Sequence, residues 1–375
     1  MADTRRIALR ALVRIDTEGA YANLVVPAAI GRTRLSDRDR HFVTDLVYGT
    51  TRMRRALDAA IDPHLRGPVE PEVRAALRLG AYQLLFLQTP AHAAVSATVG
   101  VVPLRARGLA NAVLRRVAET GHANASDDAT RLSYPDWVVE RLVAEWGDDA
   151  LAALEAMNVP AETTVRADGY VQDKASQWVA ESIPARPGEF VADVCAAPGG
   201  KATILGHRVG REGKVVALDR APARVGLIAQ NARTTKARAV RAAVGDATAP
   251  PLRAGAFHHV LVDAPCSGLG VLRRRPDARW RVRPTDPADL AQLAKRILAA
   301  SAPLVAPGGT LTYSVCTFTH AETSDVDEWA AGALSEFAVL DPPGSPWRRH
   351  GRGGAVLLPQ DAGTDGMFIL RLGRP

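Results

Sequence analysis

From Gly188 onward short apolar runs alternate with helical stretches, and that alternation is the strongest constraint on what the chain can fold into. Strand-like runs fall at residues 190–194, 214–218, 239–244, 259–262, 310–314, 337–340 and 367–372. Helical patterning falls near residue 202 and over 222–234, 287–302 and 322–333. Strands joined through helices can lie parallel, so the pattern predicts an open, mostly parallel sheet covered on both faces. Such sheets place ligands at the carboxyl ends of their strands. All 3 cysteines lie there: Cys195 after the first run, Cys266 just past the fourth, and Cys316 after the fifth. Asp263 ends the fourth run, and Pro265 and Gly268 then open a loop that carries Cys266.

The front of the chain reads differently. Residues 4–150 carry helical periodicity. Ile7, Leu9, Leu12 and Ile15 line one helix with Thr4 as its candidate N-cap. Ser36 caps a second, with Phe42, Val43, Leu46 and Val47 on its buried face. Further helices are predicted over 73–86, 91–99, 109–117, 138–146 and 150–157. Arg105, Arg107, Arg115 and Arg116 form either a solvated face or a phosphate-contacting one. The change of architecture is expected between Asn158 and Gly169, giving a helical domain over 1–130, a helical linker over 131–169 and a catalytic domain over 170–375. At 375 residues two domains are the prior.

The net charge of +7 suits a nucleic-acid partner, although nearly all of the basic residues are arginine, a bias that genome composition also produces. Three widely spaced cysteines offer neither a disulfide framework nor a zinc site, which predicts a reducing cytoplasm and no metal. The start, Met1-Ala2-Asp3-Thr4-Arg5-Arg6, leads into an amphipathic pattern and not an apolar leader. No uncharged apolar run reaches the roughly 18 residues of a membrane span.

Asp193-Val194-Cys195-Ala196-Ala197-Pro198-Gly199-Gly200-Lys201 is a glycine-rich turn after the first run. Gly199 and Gly200 let backbone amides approach a ligand closely. The spacing matches neither the dinucleotide fingerprint nor the phosphate loop of nucleotide hydrolases. Asp219 ends the second run at nearly the offset of a ribose-binding acid, and Asp246 follows the third, placed for an adenine edge. A close-approach loop, a ribose acid and an adenine acid without a pyrophosphate loop describe S-adenosylmethionine. Taken singly, Asp219 or Asp246 reads equally well as a turn or capping residue.

Residues 195–201, residues 263–270, Arg274-Arg275-Pro276-Asp277-Ala278-Arg279-Trp280, and Tyr313-Ser314-Val315-Cys316-Thr317 with Glu322 resemble the RNA cytosine-5 methyltransferases. Asp39-Arg40-His41-Phe42, Leu46-Val47-Tyr48-Gly49, Leu77-Arg78-Leu79-Gly80-Ala81-Tyr82-Gln83-Leu84 and Asn111-Ala112-Val113-Leu114-Arg115 resemble the NusB family of helical RNA-binding domains. Together they resemble the RsmB (Sun/Fmu) type, which methylates a cytosine of 16S ribosomal RNA. The resemblance implies an all-α NusB-like bundle followed by an α/β Rossmann-like domain dependent on S-adenosylmethionine. It implies an RNA partner and neither DNA nor membrane, with the chain acting as a monomer.

The same resemblance implies cofactor contacts from Cys195, Ala196, Ala197, Pro198, Gly199, Gly200, Lys201, Asp219, Arg224, Asp246 and Asp263. The chemistry asks for a thiolate to add at cytosine carbon 6 so that carbon 5 becomes nucleophilic. It asks also for an acid at ring nitrogen 3, where Asp263 is placed. From the residues alone Cys266 and Cys316 are equal candidates for the nucleophile; the resemblance implies Cys316, with Cys266 acting in product release. Lys201 is expected beside Asp263. Cys195 reads as a small buried residue. The arginines of residues 273–283 with Trp280 are expected to hold phosphates and stack a base. A transfer-RNA target and a non-catalytic RNA-binding relic are the competing readings; the intact Asp263, Cys266, Cys316 and Lys201 set argues against the relic. The link over 159–169 is shorter than the family's, which carries extra strands there.

Overall fold

The structure, a computed structural model, describes residues 4–122, 125 and 127–375. The chain forms two compact units, Met1–Ala144 with Arg274–Arg281, and Glu145–Arg273 with Val282–Pro375. The segment 131–169 is thus shared between them. Among the described residues no helix is long and apolar enough to cross a membrane.

The first unit is helical among its described residues. Pro71–Leu85 is its central helix, packed against Thr4–Glu18, Asp37–Arg52, Arg54–Ile61, Ala91–Val99 and Arg107–Thr120. Pro71 suits the first helical turn, where no intrahelical amide bond is lost. Ser36 caps Asp37–Arg52 as expected, its hydroxyl accepting from the Asp39 amide at 3.2 Å. Thr4 already belongs to the first helix. Ala22–Gly31 and Arg54–Ile61 were not anticipated; Pro27 inside the former and the brevity of the latter blur their periodicity. Gly49 and Tyr82 explain each other. A Cβ on Gly49 would come within 2.0 Å of the Tyr82 ring, and the Tyr82 hydroxyl donates to Asp45 at 3.0 Å.

Arg274–Arg281 corrects an expectation. The Arg279 side chain is fully buried, its guanidinium 3.9 Å from the Tyr134 ring centroid, donating to the carbonyls of Arg52 (3.2 Å) and Ser133 (3.0 Å). Burial pushes its pKa down to about 10, so it stays charged. Trp280 donates its indole N–H to the Thr51 carbonyl at 2.7 Å. Arg281 lies 4.0 Å from the Tyr21 ring centroid and pairs with Asp277. Next to this segment, Arg273 donates to the Gly363 carbonyl at 2.6 Å. Arg273 and Arg279 therefore hold protein backbone and not phosphates, and the indole N–H of Trp280 is taken up by a main-chain carbonyl.

The second unit is built on one sheet: β1 (Phe190–Asp193), β2 (Lys214–Asp219), β3 (Val240–Val244), β4 (Phe257–Asp263), β5 (Val305–Val315), β6 (Ala338–Val339), β7 (Arg348–His350), β8 (Gly354–Leu357) and β9 (Met367–Gly373). The order is β3-β2-β1-β4-β5-β9-β8-β7, with β6 also on β9. The first five strands are mutually parallel and the remainder is antiparallel. Strands β7 and β8 escaped the sequence reading, since Arg348-Arg349-His350 has no apolar alternation and Gly354 opens β8. Helices Lys174–Ser182, Gly200–Val209, Pro222–Thr234, Asp286–Ser301 and Ser324–Ala333 belong to this unit. Val191, Leu205, Val215, Ile228, Leu261 and Ile369 belong to a shared hydrophobic core. The chain leaves β1 toward β2 on one side and later enters β4 on the other. Ligands bind at such a reversal, and Asp193 and Asp263 sit at its two strand ends.

Candidate active site

Because the strands from β1 to β5 run parallel, their carboxyl ends deliver one set of loops to one edge of the sheet. The register places Asp263 of β4 beside Ser314 of β5. Ser314 donates its hydroxyl to one Asp263 oxygen at 2.6 Å, and Lys201 donates its ammonium to the other at 2.8 Å. Lys201 is buried, which disfavours its charge, but Asp263 outweighs the burial and its pKa stands raised. Cys316 adds to that field, so the ammonium acts on both the acid and a thiol.

The two thiols meet. Cys266 Sγ and Cys316 Sγ lie 3.3 Å apart. Contact with Cys316 and burial push the Cys266 thiol up, and the Glu322 carboxyl adds to the effect. The surroundings are unequal: Cys316 is in the field of a cation, whereas Cys266 faces Cys316 and a carboxyl. Cys195 stays apart from this pair. Burial and the acids Asp193, Asp263 and Asp219 hold its thiol well above the usual range.

The glycine-rich turn lies between β1 and Gly200–Val209. Gly199 has φ +108°, and a Cβ there would approach the Ile228 backbone to 3.2 Å. This is backbone kept bare for close approach. Asp219 accepts the Ala221 amide at 2.9 Å and pairs with Arg224 at 3.2 Å. Arg224 also donates to the Ala197 carbonyl at 2.9 Å, tying the turn to that acid. Asp246 lies exposed past β3 and accepts the Thr248 amide at 2.8 Å, which holds its carboxyl below the usual range. A bare turn and acids at successive strand ends fit a ribonucleoside with a cationic sulfur. Among the described residues no cluster could hold a metal ion.

Arg166 escaped the sequence reading, and so did the partners of Glu322. Arg166, in the short link, has a buried guanidinium that donates to the Gly200 carbonyl (2.7 Å), Thr203 Oγ1 (3.1 Å) and Gln172 Oε1 (2.7 Å), bracing the turn from behind. Its neighbour Asp168 and a single bridge between Val165 and Val171 close the link. Glu322 stands out in the sequence only as part of a motif; it lies buried at the end of a short helical turn, His320–Glu322, bonded to Ser267 beside Cys266. Neither has a periodic signal, because each acts across a long sequence separation.

A family model described as 16S rRNA methyltransferase RsmB/F matches residues 181–373, and one described as the NusB family matches residues 2–119. The ribosomal RNA small subunit methyltransferase B of Thermus thermophilus is 35% identical over 403 residues, covering 99% of this chain and 97% of its own. The Bacillus subtilis (strain 168) protein named "Probable ribosomal RNA small subunit methyltransferase B" is 32% identical over 439 residues, covering 97% of each. Among solved structures, PH0851 has a TM-score of 0.83 at 21% identity, covering 99% of both chains, a likeness of fold.

Proposed function

The chain belongs to the 16S rRNA methyltransferase RsmB/F family, and from that premise we propose that it methylates carbon 5 of a cytosine in 16S rRNA through a covalent cysteine–cytosine intermediate. The methyl donor is S-adenosylmethionine, which supplies an electrophilic methyl group when bound. Gly199, Gly200, Asp219 and Asp246 would hold it, with Arg224 and Arg166 fixing the turn. The helical first unit, with Arg115 and Arg116 exposed, contributes RNA affinity. The protein acts as a monomer in the cytoplasm.

Carbon 5 of cytosine gains nucleophilic character when a thiolate adds to carbon 6. Cys316 forms that bond through Sγ. Asp263, held by Lys201 and Ser314, acts as the acid that gives a proton to ring nitrogen 3 as electron density accumulates there and takes it back on elimination. Once carbon 5 carries the methyl group, a water molecule acting as base takes its proton, the electron pair of that C–H bond re-forms the C5–C6 double bond, and the ring expels Cys316 as a thiolate. Cys266 then donates its S–H to the departing sulfur, which its 3.3 Å separation permits. The observation that carries this reading is the contact between two thiols in unequal fields. A substrate RNA tritiated at cytosine carbon 5 tests it. One tritium should be released for each methyl transferred, whereas transfer to a ring nitrogen or the ribose would release none.

A further inference from the structure

Cys266 and Cys316 arrive on separate strands, and their contact depends on what joins the two loops. The Gly270 amide donates to the Cys316 carbonyl at 3.1 Å. The Ser267 and Thr317 hydroxyls, each next in sequence to a thiol, meet at 3.1 Å. Glu322 gathers the rest. One of its oxygens accepts the Ser267 amide at 2.7 Å, and the other accepts the Ser267 hydroxyl at 2.5 Å and the Thr319 hydroxyl at 2.8 Å. Its main-chain carbonyl is fixed to β5 by the Tyr313 hydroxyl at 2.8 Å. Glu322 is 1% exposed. A carboxyl so deep costs desolvation, and a well-packed apolar side chain is often as stable or more so, so its presence calls for a further role.

We propose that Glu322 is a positioning residue that holds Cys266, through Ser267, at the distance from Cys316 needed for product release. The Ser267 amide shares its peptide plane with the Cys266 carbonyl. Anchoring that plane on a residue tied to β5 ties the releasing thiol to the strand that carries the attacking one. Methyl-donor binding and the first attack depend on other groups, namely the glycine turn, Lys201, Asp263 and Cys316. Loss of Glu322 should therefore slow release selectively and trap the covalent adduct. This inference rests on the covalent reading above.

The test uses the full chain with labelled 16S rRNA and S-adenosylmethionine, reading single-turnover methyl transfer, adduct on a denaturing gel, methyl-donor affinity by calorimetry and thermal stability. Glu322→Gln should keep donor affinity and transfer one methyl group. It should then release product on the order of 10²-fold more slowly, as displacement of a reacting group by about 1 Å does, and accumulate adduct as Cys266→Ala does. Thr319→Val, which touches Glu322 but not the Cys266 loop, should lose stability without trapping adduct. Should Glu322→Gln fail to fold, Ser267→Ala keeps the amide contact and should slow release roughly tenfold, with adduct accumulating. Adduct in Cys266→Ala but in neither Glu322→Gln nor Ser267→Ala overturns this inference alone. No adduct in Cys266→Ala removes the covalent reading and this inference with it.

Discussion

Asp193 ends β1 with 1% exposure, beside the cofactor turn. Burial first, then the nearby Asp263 carboxylate, push its pKa up to about 8 against the pull of Lys201 and the Cys195 amide. In the unfolded chain the same group titrates near 3.8. Below about pH 4 both states hold the proton and the group contributes nothing to pH dependence. Between about pH 4 and 8 the folded state keeps a proton that the unfolded state has lost, so stability falls as pH rises, and above 8 the full cost is present. A gap of about four pH units at ~1.4 kcal/mol each bounds the whole effect near 6 kcal/mol; about three of those units lie between pH 5 and pH 9, ~4 kcal/mol, and structural relaxation brings the expectation over that window to about 2–4 kcal/mol. Asp193→Asn is nearly isosteric and does not ionise. Urea unfolding of wild type and variant from pH 5 to pH 9 should show the variant gaining that amount relative to wild type as pH rises. The comparison turns on slope, so a constant offset from the amide leaves it intact. Parallel pH curves would refute the reasoning.

Asp219→Ala should weaken methyl-donor binding by about 1.5–3 kcal/mol through loss of a charged acceptor; unchanged affinity by calorimetry would remove the ribose assignment. Arg279→Met should destabilise the first unit by about 2–4 kcal/mol, since the buried Arg52 and Ser133 carbonyls lose their donor, and an unaltered melting temperature would contradict that. Reversing the exposed Arg115 and Arg116 together should lower RNA affinity and flatten its salt dependence by about 2 in the log–log slope; an unaltered slope would exclude both as phosphate contacts.

The parts of this protein that follow a period were legible before the structure. Residues 190–194 and 214–218 are buried parallel strands, and Val43, Leu46 and Val47 are buried on one helical face, because burial imposes a repeat on a chain. The strand-end acids and thiols were legible for a related reason: parallel topology turns position after a strand into position at one edge. What stayed hidden were the partners that a residue reaches across distance. Glu322 reaches Ser267 over 55 positions, and Arg166 reaches Gly200 over 34. Arg273 and Arg279 misled because a cation in such a cluster looks the same whether it faces phosphates or backbone carbonyls. Only the burial of Arg279 decides between them.

The central claim, attack by Cys316 with release aided by Cys266, is tested most directly by one denaturing gel. Wild type, Cys316→Ala and Cys266→Ala are each incubated with labelled 16S rRNA and S-adenosylmethionine. The account predicts that Cys316→Ala neither methylates nor forms an adduct, because carbon 5 is never activated. It predicts that Cys266→Ala methylates once and then remains bound as a band that survives denaturation. An adduct persisting in Cys316→Ala and missing from Cys266→Ala would make Cys266 the nucleophile, and methylation intact in both without any adduct would remove cysteine catalysis from this protein.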